Sequence, residues 1–476
     1  MATQTAPNFT QNSDFSLTPD HKSQFWDKYA QDGVHQFEFL SKFEGPVGSN
    51  KAIIRKDDAS KGRGQQINLT VHSNPVGDGV QGATALLGAE EKESRSTYSM
   101  TVDQKRHAVA VDALLESYSG AERKASLADK EIGWMAREKQ TDALMSLLKN
   151  GAYTTSGKAN NLIWCGGGSA DTSLRPSNVL DTNAFRLLQQ KARSLGIQPT
   201  NLSMEENPAD GIYNMVLLVP TDGLQGLDQD GGFLNALQLA HGRENGADKN
   251  NPLFTGSYAK TYKGITPFEI PVPRHDNPSK GAIGNPLQPQ ALLRTATTNF
   301  TTTTVLTFGG SSGSGTSIKY VKFFPGYDYL FYSGQSASAD STTYYLKIKD
   351  MPGATNAGKF EVCSYVGTAN DGNQITVTRG SSTDGVSTSP DGVHDANALV
   401  VPCTFDGTEY VHGLCLGSGA LLRGYGEWKE KLVYEKYDYG EVSGVGMSAI
   451  YGQTPCQRLD GTFKNFLVLR IAATNI

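Results

Sequence analysis

Cysteine is too sparse and too scattered in this chain to organise it. Cys165, Cys363, Cys403, Cys415 and Cys456 are odd in number and form no CxxC pair. That spacing excludes a disulfide framework, a cysteine zinc site and a redox dithiol, and predicts reduced thiols in a cytosolic product. Histidine is scarce as well: the eight residues include no HExxH pair. His72, His107, His275 and His412 stand alone and read as surface or hydrogen-bonded core residues, not metal ligands. No apolar run approaches the length that crosses a bilayer, and no signal peptide is expected ahead of Asn8. Charge of one sign is also missing. With 43 Lys and Arg against 48 Asp and Glu, the net charge is −5, which supplies no drive toward nucleic acid or anionic membrane.

Catalytic constellations are equally thin. Gly309-Gly310-Ser311-Ser312-Gly313 matches the nucleophile-elbow pattern only in form, because it sits in a Gly/Ser turn without a strand-to-helix frame. Asp222, Asp228 and Asp230 suggest a calcium loop, but its third position would fall on Gly232 and Leu239 stands where the closing glutamate should be, so they read as a solvated turn. Gly417-Ser418-Gly419 opens a candidate helix, yet no dinucleotide-binding unit surrounds it and no P-loop lysine follows. No carboxylate pair suits glycoside hydrolysis. Neither an enzyme activity, a cofactor nor a metal is expected, and no residue is assigned a catalytic role.

What the chain does hold is a distinctive order of elements. Its 476 residues, 52 glycines, 20 prolines and 38% apolar content describe a multidomain, turn-rich α+β protein. Ile67, Leu69 and Val71 alternate with polar neighbours over 66–72, as do Tyr98, Met100 and Val102 over 97–103. These two strands form a hairpin arm with one apolar face. The intervening Ser73–Ser96 stretch cannot build a core. Such an arm is marginal in water alone and is expected to lie on another copy of the same chain. Helical sequence then runs from Gly120 to Asn150, with Leu127, Trp134, Thr141 and Leu148 at heptad spacing beside Ala128, Met135 and Met145. Lys130, Glu131, Arg137, Glu138 and Lys139 are expected on its wet face. Asn150-Gly151 is the stop, and the stripe predicts a spine packed across a sheet.

Asp181–Leu195 reads as a second helix, capped by Asp181 and stopped by Gly196. Ile212–Val219 reads as a buried strand, and Phe233–His241 as a short helix. Before all of these, Met1–Ser60 reads as an extended arm with a short helix near Gln24–Tyr29. From about Thr295 to Pro402 the composition turns to Thr, Ser, Gly and Tyr. Strands are expected there over 304–308, 318–324, 343–349, 359–366 and 373–378. This is an inserted all-β module. Its tyrosines Tyr320, Tyr327, Tyr329, Tyr344 and Tyr345 could bind surface glycans, but composition favours a folded spacer that uses tyrosine in its own core.

Several blocks carry a family resemblance. Pro75-Val76-Gly77-Asp78, Leu87-Gly88-Ala89-Glu90-Glu91 and Val102-Asp103-Gln104-Lys105-Arg106-His107-Ala108-Val109 resemble the arm of major capsid proteins of Schitovirus-type tailed phages. Leu253-Phe254-Thr255-Gly256 with Tyr262-Lys263-Gly264-Ile265 is similar to a second block. So is the C-terminal run Gly424-Tyr425-Gly426-Glu427-Trp428, Tyr437-Asp438-Tyr439-Gly440 and Ala449-Ile450-Tyr451-Gly452. The resemblance spans most of Gly62–Leu293 and Val411–Ile476.

It implies an α+β, HK97-like major capsid fold divided as N-terminal arm 1–60, E-loop hairpin 61–112, peripheral domain with spine helix 113–180, axial domain 181–294, inserted β-rich domain 295–404, and axial return with C-terminal peripheral strands 405–476. The C-terminal stretch Tyr434–Ala473 would complete the peripheral sheet. The implied partners are copies of the chain, as hexameric and pentameric capsomers of an icosahedral head around double-stranded DNA bound without sequence specificity. Scaffolding, portal and decoration proteins complete that list, with no membrane partner. The implied location is the virion capsid, assembled in the host bacterial cytoplasm. Assembly contacts are expected at Ile67, Leu69, Tyr98, Met100 and Trp134. Lys–Asn cross-links occur in the fold class, but nothing marks a pair here. An encapsulin-type compartment shell or a carbohydrate-binding β-protein are the alternatives.

Overall fold

The computed structural model describes residues 39–56, 66–73, 77, 80–82, 90–112, 123–152, 161–169, 173–200, 214–235, 262–270, 282–293, 296–297, 303–307, 340–350, 355–367, 374–379, 393–396, 398–426, 431–437 and 442–473. The short helix near Gln24–Tyr29, the strand over 318–324, the Gly309–Gly313 turn, His275 and most of the Phe233–His241 helix lie outside them.

A central mixed sheet runs in the order Leu162–Trp164, Phe466–Ala472, Tyr410–Leu416, Met215–Pro220, Ile265–Ile270. Met215–Pro220 and Phe466–Ala472 are buried along their whole length. Alternation explains how both faces fill. Met215, Leu217, Val219, Leu467, Leu469 and Ile471 join one apolar cluster, while Val216, Leu218, Phe466 and Val468 join another on the opposite face. The C-terminal strand was expected in the peripheral sheet with alternating burial. It lies in this central sheet instead and is wet on neither face, because helices cover both.

Helix α1 (Arg123–Ala152), α2 (Thr182–Ser194) and α3 (Thr221–Gln229) provide that cover. Ala143, Leu144, Leu147 and Leu148 of α1 pack on one face with Leu40 and Phe43. Phe185, Leu188 and Ala192 of α2, with Leu224 and Leu227 of α3, pack on the other. Asp181 caps α2 by accepting a hydrogen bond from the Ala184 backbone N–H at 2.7 Å, and Gly196 ends it at φ +60°. The aspartates taken for a solvated turn belong to α3 and its exit. There Asp230 accepts from the Thr182 and Gly232 backbone N–H groups at 2.6 and 2.8 Å.

A second sheet lies across the middle of α1, where Glu131 to Asp142 meet it. Its long strand Val442–Pro455 pairs with Asp103–Asp112 on one side, and with Lys431–Tyr437 and Leu421–Tyr425 on the other. Ile53–Lys56 and Glu44–Pro46 extend it in parallel. The segment read as part of an N-terminal arm is therefore integral from Phe39 onward: Leu40, Ala52 and Ile53 are core residues. Gly417-Ser418-Gly419, read as a helix start, is a turn that passes the chain from the central sheet to this one, with Gly419 at φ +63°.

The inserted module is a seven-stranded sheet in the order Thr303–Thr307, Gln374–Arg379, Phe360–Gly367, Asp340–Lys349, Leu399–Cys403, Gln288–Leu292, Ala282–Asn285. It thus begins before Thr295, since the 282–292 hairpin supplies two of its strands. Tyr344 and Tyr365 are buried in its core with ring centroids 5.7 Å apart, and Tyr345 packs edge-on against Phe405. Tyr344 is thereby a core residue; Tyr320, Tyr327 and Tyr329 lie outside the described residues. The expected strands at 304–308, 343–349, 359–366 and 373–378 are present within a few residues. All five cysteines are free and buried, and burial raises their thiol pKa values, Cys415 and Cys456 to about 12.

Candidate assembly surface

The arm is a two-stranded sheet of its own. Gln66–His72 and Arg95–Thr101 pair in antiparallel register from Gln66↔Thr101 to His72↔Arg95. Alternation divides it into two faces. Ile67, Leu69, Tyr98 and Met100 point inward, whereas Gln66, Asn68, Thr70, His72, Arg95, Thr97, Ser99 and Thr101 are all exposed.

The inward face was expected to meet a neighbouring subunit. In the structure it is filled by the chain's own second sheet. Ile67, Leu69, Met100 and Val102 form a cluster with Leu422 and Cys456, and Tyr98, Ile54 and Ile450 pack around them. The physical reason lies in two glycines. Gly424 and Gly452 are cross-strand partners and leave a bare patch on the sheet surface. A Cβ at Gly424 would overlap the Met100 Cε atom and come within 2.6 Å of Ile67 Cδ1. A Cβ at Gly452 would overlap the Thr101 carbonyl oxygen itself. The missing side chains let the hairpin root lie directly on the sheet. Burial and the neighbouring Cys456 push the Tyr98 phenol well above its usual range, so it stays neutral there.

On the other face of the same sheet lies α1, and the contact is largely ionic and aromatic. Lys105, on the strand that follows the hairpin, donates to Glu138 Oε2 at 2.9 Å and to Asp142 Oδ2. The Tyr451 hydroxyl donates to the same Asp142 oxygen at 2.7 Å. Lys139 Nζ lies 5.2 Å from the Tyr425 ring centroid and 5.6 Å from that of Tyr451. Glu131 meets His107 Nδ1 at 2.9 Å, and the His107 ring stacks on Trp134 at 4.7 Å. Deeper in the sheet, Arg423 donates to Glu44 at 2.8 Å.

Glu131 and Lys139 were expected on the wet face of α1, yet both are buried. Each charge is matched across the layer, by an imidazole in one case and two aromatic faces in the other. Trp134 is half-buried in this layer and, like the four inward hairpin residues, makes its contacts within the chain. No signal in the periodicity of α1 separates these charges from solvated ones, because their partners lie up to 312 residues away, at Tyr451, on the long strand and its neighbours.

Among the described residues no cluster of His, Cys, Asp and Glu has the arrangement of a metal site, and no described helix is long and apolar enough to cross a membrane. The buried ionisable groups of the inserted module form a closed structural network. His394 bridges Asp350 at 2.9 Å and Glu361 at 3.2 Å, and Arg379 pairs with Glu361. All four side chains are shut off from solvent.

This layered arrangement has known counterparts. By sequence, residues 46–282 match the phage capsid protein family. By structure, the chain is similar to the capsid of Ralstonia phage GP4, at 13% identity and a TM-score of 0.54, over 97% of this chain and 98% of the other. Likeness of the same degree links it to the cyanophage Pam1 capsid (14% identity, TM-score 0.54, 98% and 100% covered). The head structure of Helicobacter pylori bacteriophage KHP40 also matches (13%, 0.54, 98% and 99%). No curated protein sequence matches significantly. These likenesses span the inserted module as well as the body, and they do not favour a compartment shell or a carbohydrate-binding protein. The chain belongs to the phage capsid protein family: it is a structural major capsid protein with the HK97-like fold, a homo-oligomeric part of the virion shell.

Proposed function

We propose that copies of this chain form hexameric and pentameric capsomers that close into an icosahedral head around double-stranded DNA. The observation that carries the reading is the cantilevered hairpin, rooted on the Gly424–Gly452 patch and followed directly by the long helix α1. In this reading the hairpin is the E-loop, α1 is the spine of the peripheral domain, and the central sheet with α2 and α3 belongs to the axial domain. The role is structural and not enzymatic. Overlapping contacts of modest size become strong collectively, since a subunit held at one interface meets the next at high effective concentration. A net charge of −5 suits a container that must not retain its DNA through phosphate contacts. Assembly takes place in the host cytoplasm, with scaffolding and portal proteins as further partners, and the inserted module serves as a folded spacer. Electron microscopy with sedimentation velocity on the protein expressed alone tests this. Shells or rings of five and six are expected; a stable monomer without a projecting hairpin would overturn it.

A further inference from the structure

We infer that the hairpin meets the neighbouring subunit through its uncharged polar face, the side formed by Gln66, Asn68, Thr70, Thr97, Ser99 and Thr101, and not through its apolar side chains. The inference rests on the assembly reading above and names the surface that reading leaves open. Three observations carry it. First, the apolar face is already saturated: Ile67, Leu69 and Met100 are buried against the chain's own Leu422 and Cys456. Freeing them to grip a neighbour would cost this cluster its burial. The face left for a partner is the exposed one.

Second, its chemistry suits a repeated contact between identical copies. Over the root-proximal rungs Gln66↔Thr101, Asn68↔Ser99 and Thr70↔Thr97, all six outward side chains are short or neutral. Ser and Thr lose little rotamer entropy on being ordered, in contrast to Lys and Glu, and a neutral face meets no like charge on a second copy. Third, the strands themselves are unguarded. Neither Gln66–His72 nor Arg95–Thr101 contains Lys or Pro, the residues that protect a sheet edge from pairing with another chain, and the two strands form a sheet with no further member among the described residues. Charge returns only at the far end, where His72 pairs with Glu93 at 2.6 Å beside Arg95. At ~3.4 Å per residue the neutral strip is about 17–24 Å long, enough to lie along one edge of a neighbour. The occupant is a second copy of this chain, because a shell of identical subunits places a copy beside every hairpin.

The test is the double variant Asn68→Glu with Ser99→Lys, expressed as the full chain beside wild type and Ile67→Ala. The two new charges face each other across one rung, so the hairpin itself keeps its stability. We expect the double variant to melt within about 2 °C of wild type while its yield of sedimenting shells falls at least tenfold. Ile67→Ala is expected to lower the melting temperature. A double variant that closes shells at wild-type yield overturns the inference and leaves this face to solvent or to a decoration protein. Wild type that forms neither shells nor capsomers overturns the assembly reading, and the inference with it.

Discussion

Replacing Gly452 with alanine should damage this protein more than replacing Gly424, although the two residues face each other in one sheet. The difference lies in what the new methyl group meets. At Gly424 it meets the ends of two side chains, Met100 and Ile67, and a methionine can swing its terminal methyl aside. That substitution should cost about 1 kcal/mol or less. At Gly452 the methyl would overlap the Thr101 carbonyl oxygen and lie 3.0 Å from its carbon, and backbone cannot rotate away. The hairpin root must lift, which puts the cost near the top of the overpacking range, about 3 kcal/mol. Complete detachment sets a ceiling. Four side chains, Ile67, Leu69, Met100 and Val102, would be re-exposed at about 1.5–3 kcal/mol each. Urea unfolding of the unassembled protein, followed by circular dichroism, measures the cost. Limited proteolysis reports the lifting, since strands 66–72 and 95–101 become cleavable when their apolar face loses its seat. A Gly452→Ala protein as stable and as protease-resistant as wild type, or less affected than Gly424→Ala, would refute the close packing of hairpin on sheet.

Other consequences are smaller or more local. Asp181→Ala removes the α2 cap and should cost about 1 kcal/mol in a thermal melt, with Asp181→Asn restoring most of it. Lys105→Met leaves Glu138 and Asp142 facing each other without their lysine and should cost about 2 kcal/mol. That is less than for a fully buried pair, because Asp142 is about a third exposed; adding Glu138→Gln and Asp142→Asn should recover the loss in urea titrations. Burial pushes the Glu361 carboxyl up, but hydrogen bonds from His394 and Arg379 outweigh it and hold the group below the usual range. A folded value below the unfolded one means stabilisation that is complete above about pH 4.3 and is lost as pH falls through the folded value. The near-UV dichroism of Tyr344 and Tyr365 should therefore collapse on acidification, and Glu361→Gln should weaken the module already at neutral pH and flatten that acid limb.

Local pattern made much of this architecture legible. The strand at 66–72, the long helix, the α2 cap at Asp181 and four strands of the inserted module all follow from periodicity and from capping and turn residues, which act over a few positions. The destination of each apolar face did not follow. The alternation of Ile67, Leu69 and Met100 marks a face to be buried without saying whose surface buries it. The answer depends on Gly424 and Gly452, more than 320 residues downstream, whose role is an absence of side chain. The register of Phe466–Ala472 shows the same limit, because a strand buried on both faces and one at the margin of a sheet differ only in what covers them. The hairpin 282–292 reads as part of the body by composition, yet it pairs with Leu399–Cys403.

The two sides of α1 show why long-range placement matters for a shell subunit. Its second half packs on the central sheet through Ala143, Leu144, Leu147 and Leu148, a contact that is dry and close-packed and so resists displacement. Its middle, from Glu131 to Asp142, meets the second sheet through Lys105–Glu138, Lys105–Asp142, His107–Glu131 and Lys139 over two tyrosine rings. Contacts of this kind contribute little net stability, since desolvation of the ions offsets most of their attraction, but breaking one partner is costly and the geometry is directional. An ionic layer therefore specifies how the sheet sits on the helix more than how tightly it is held. The hairpin is rooted on the opposite face of that same sheet, so the alignment set by these pairs is the alignment in which the hairpin projects. A charge removed from α1 would thus misdirect an arm it never touches, and the defect would show in assembly at a smaller cost in stability than any core truncation brings.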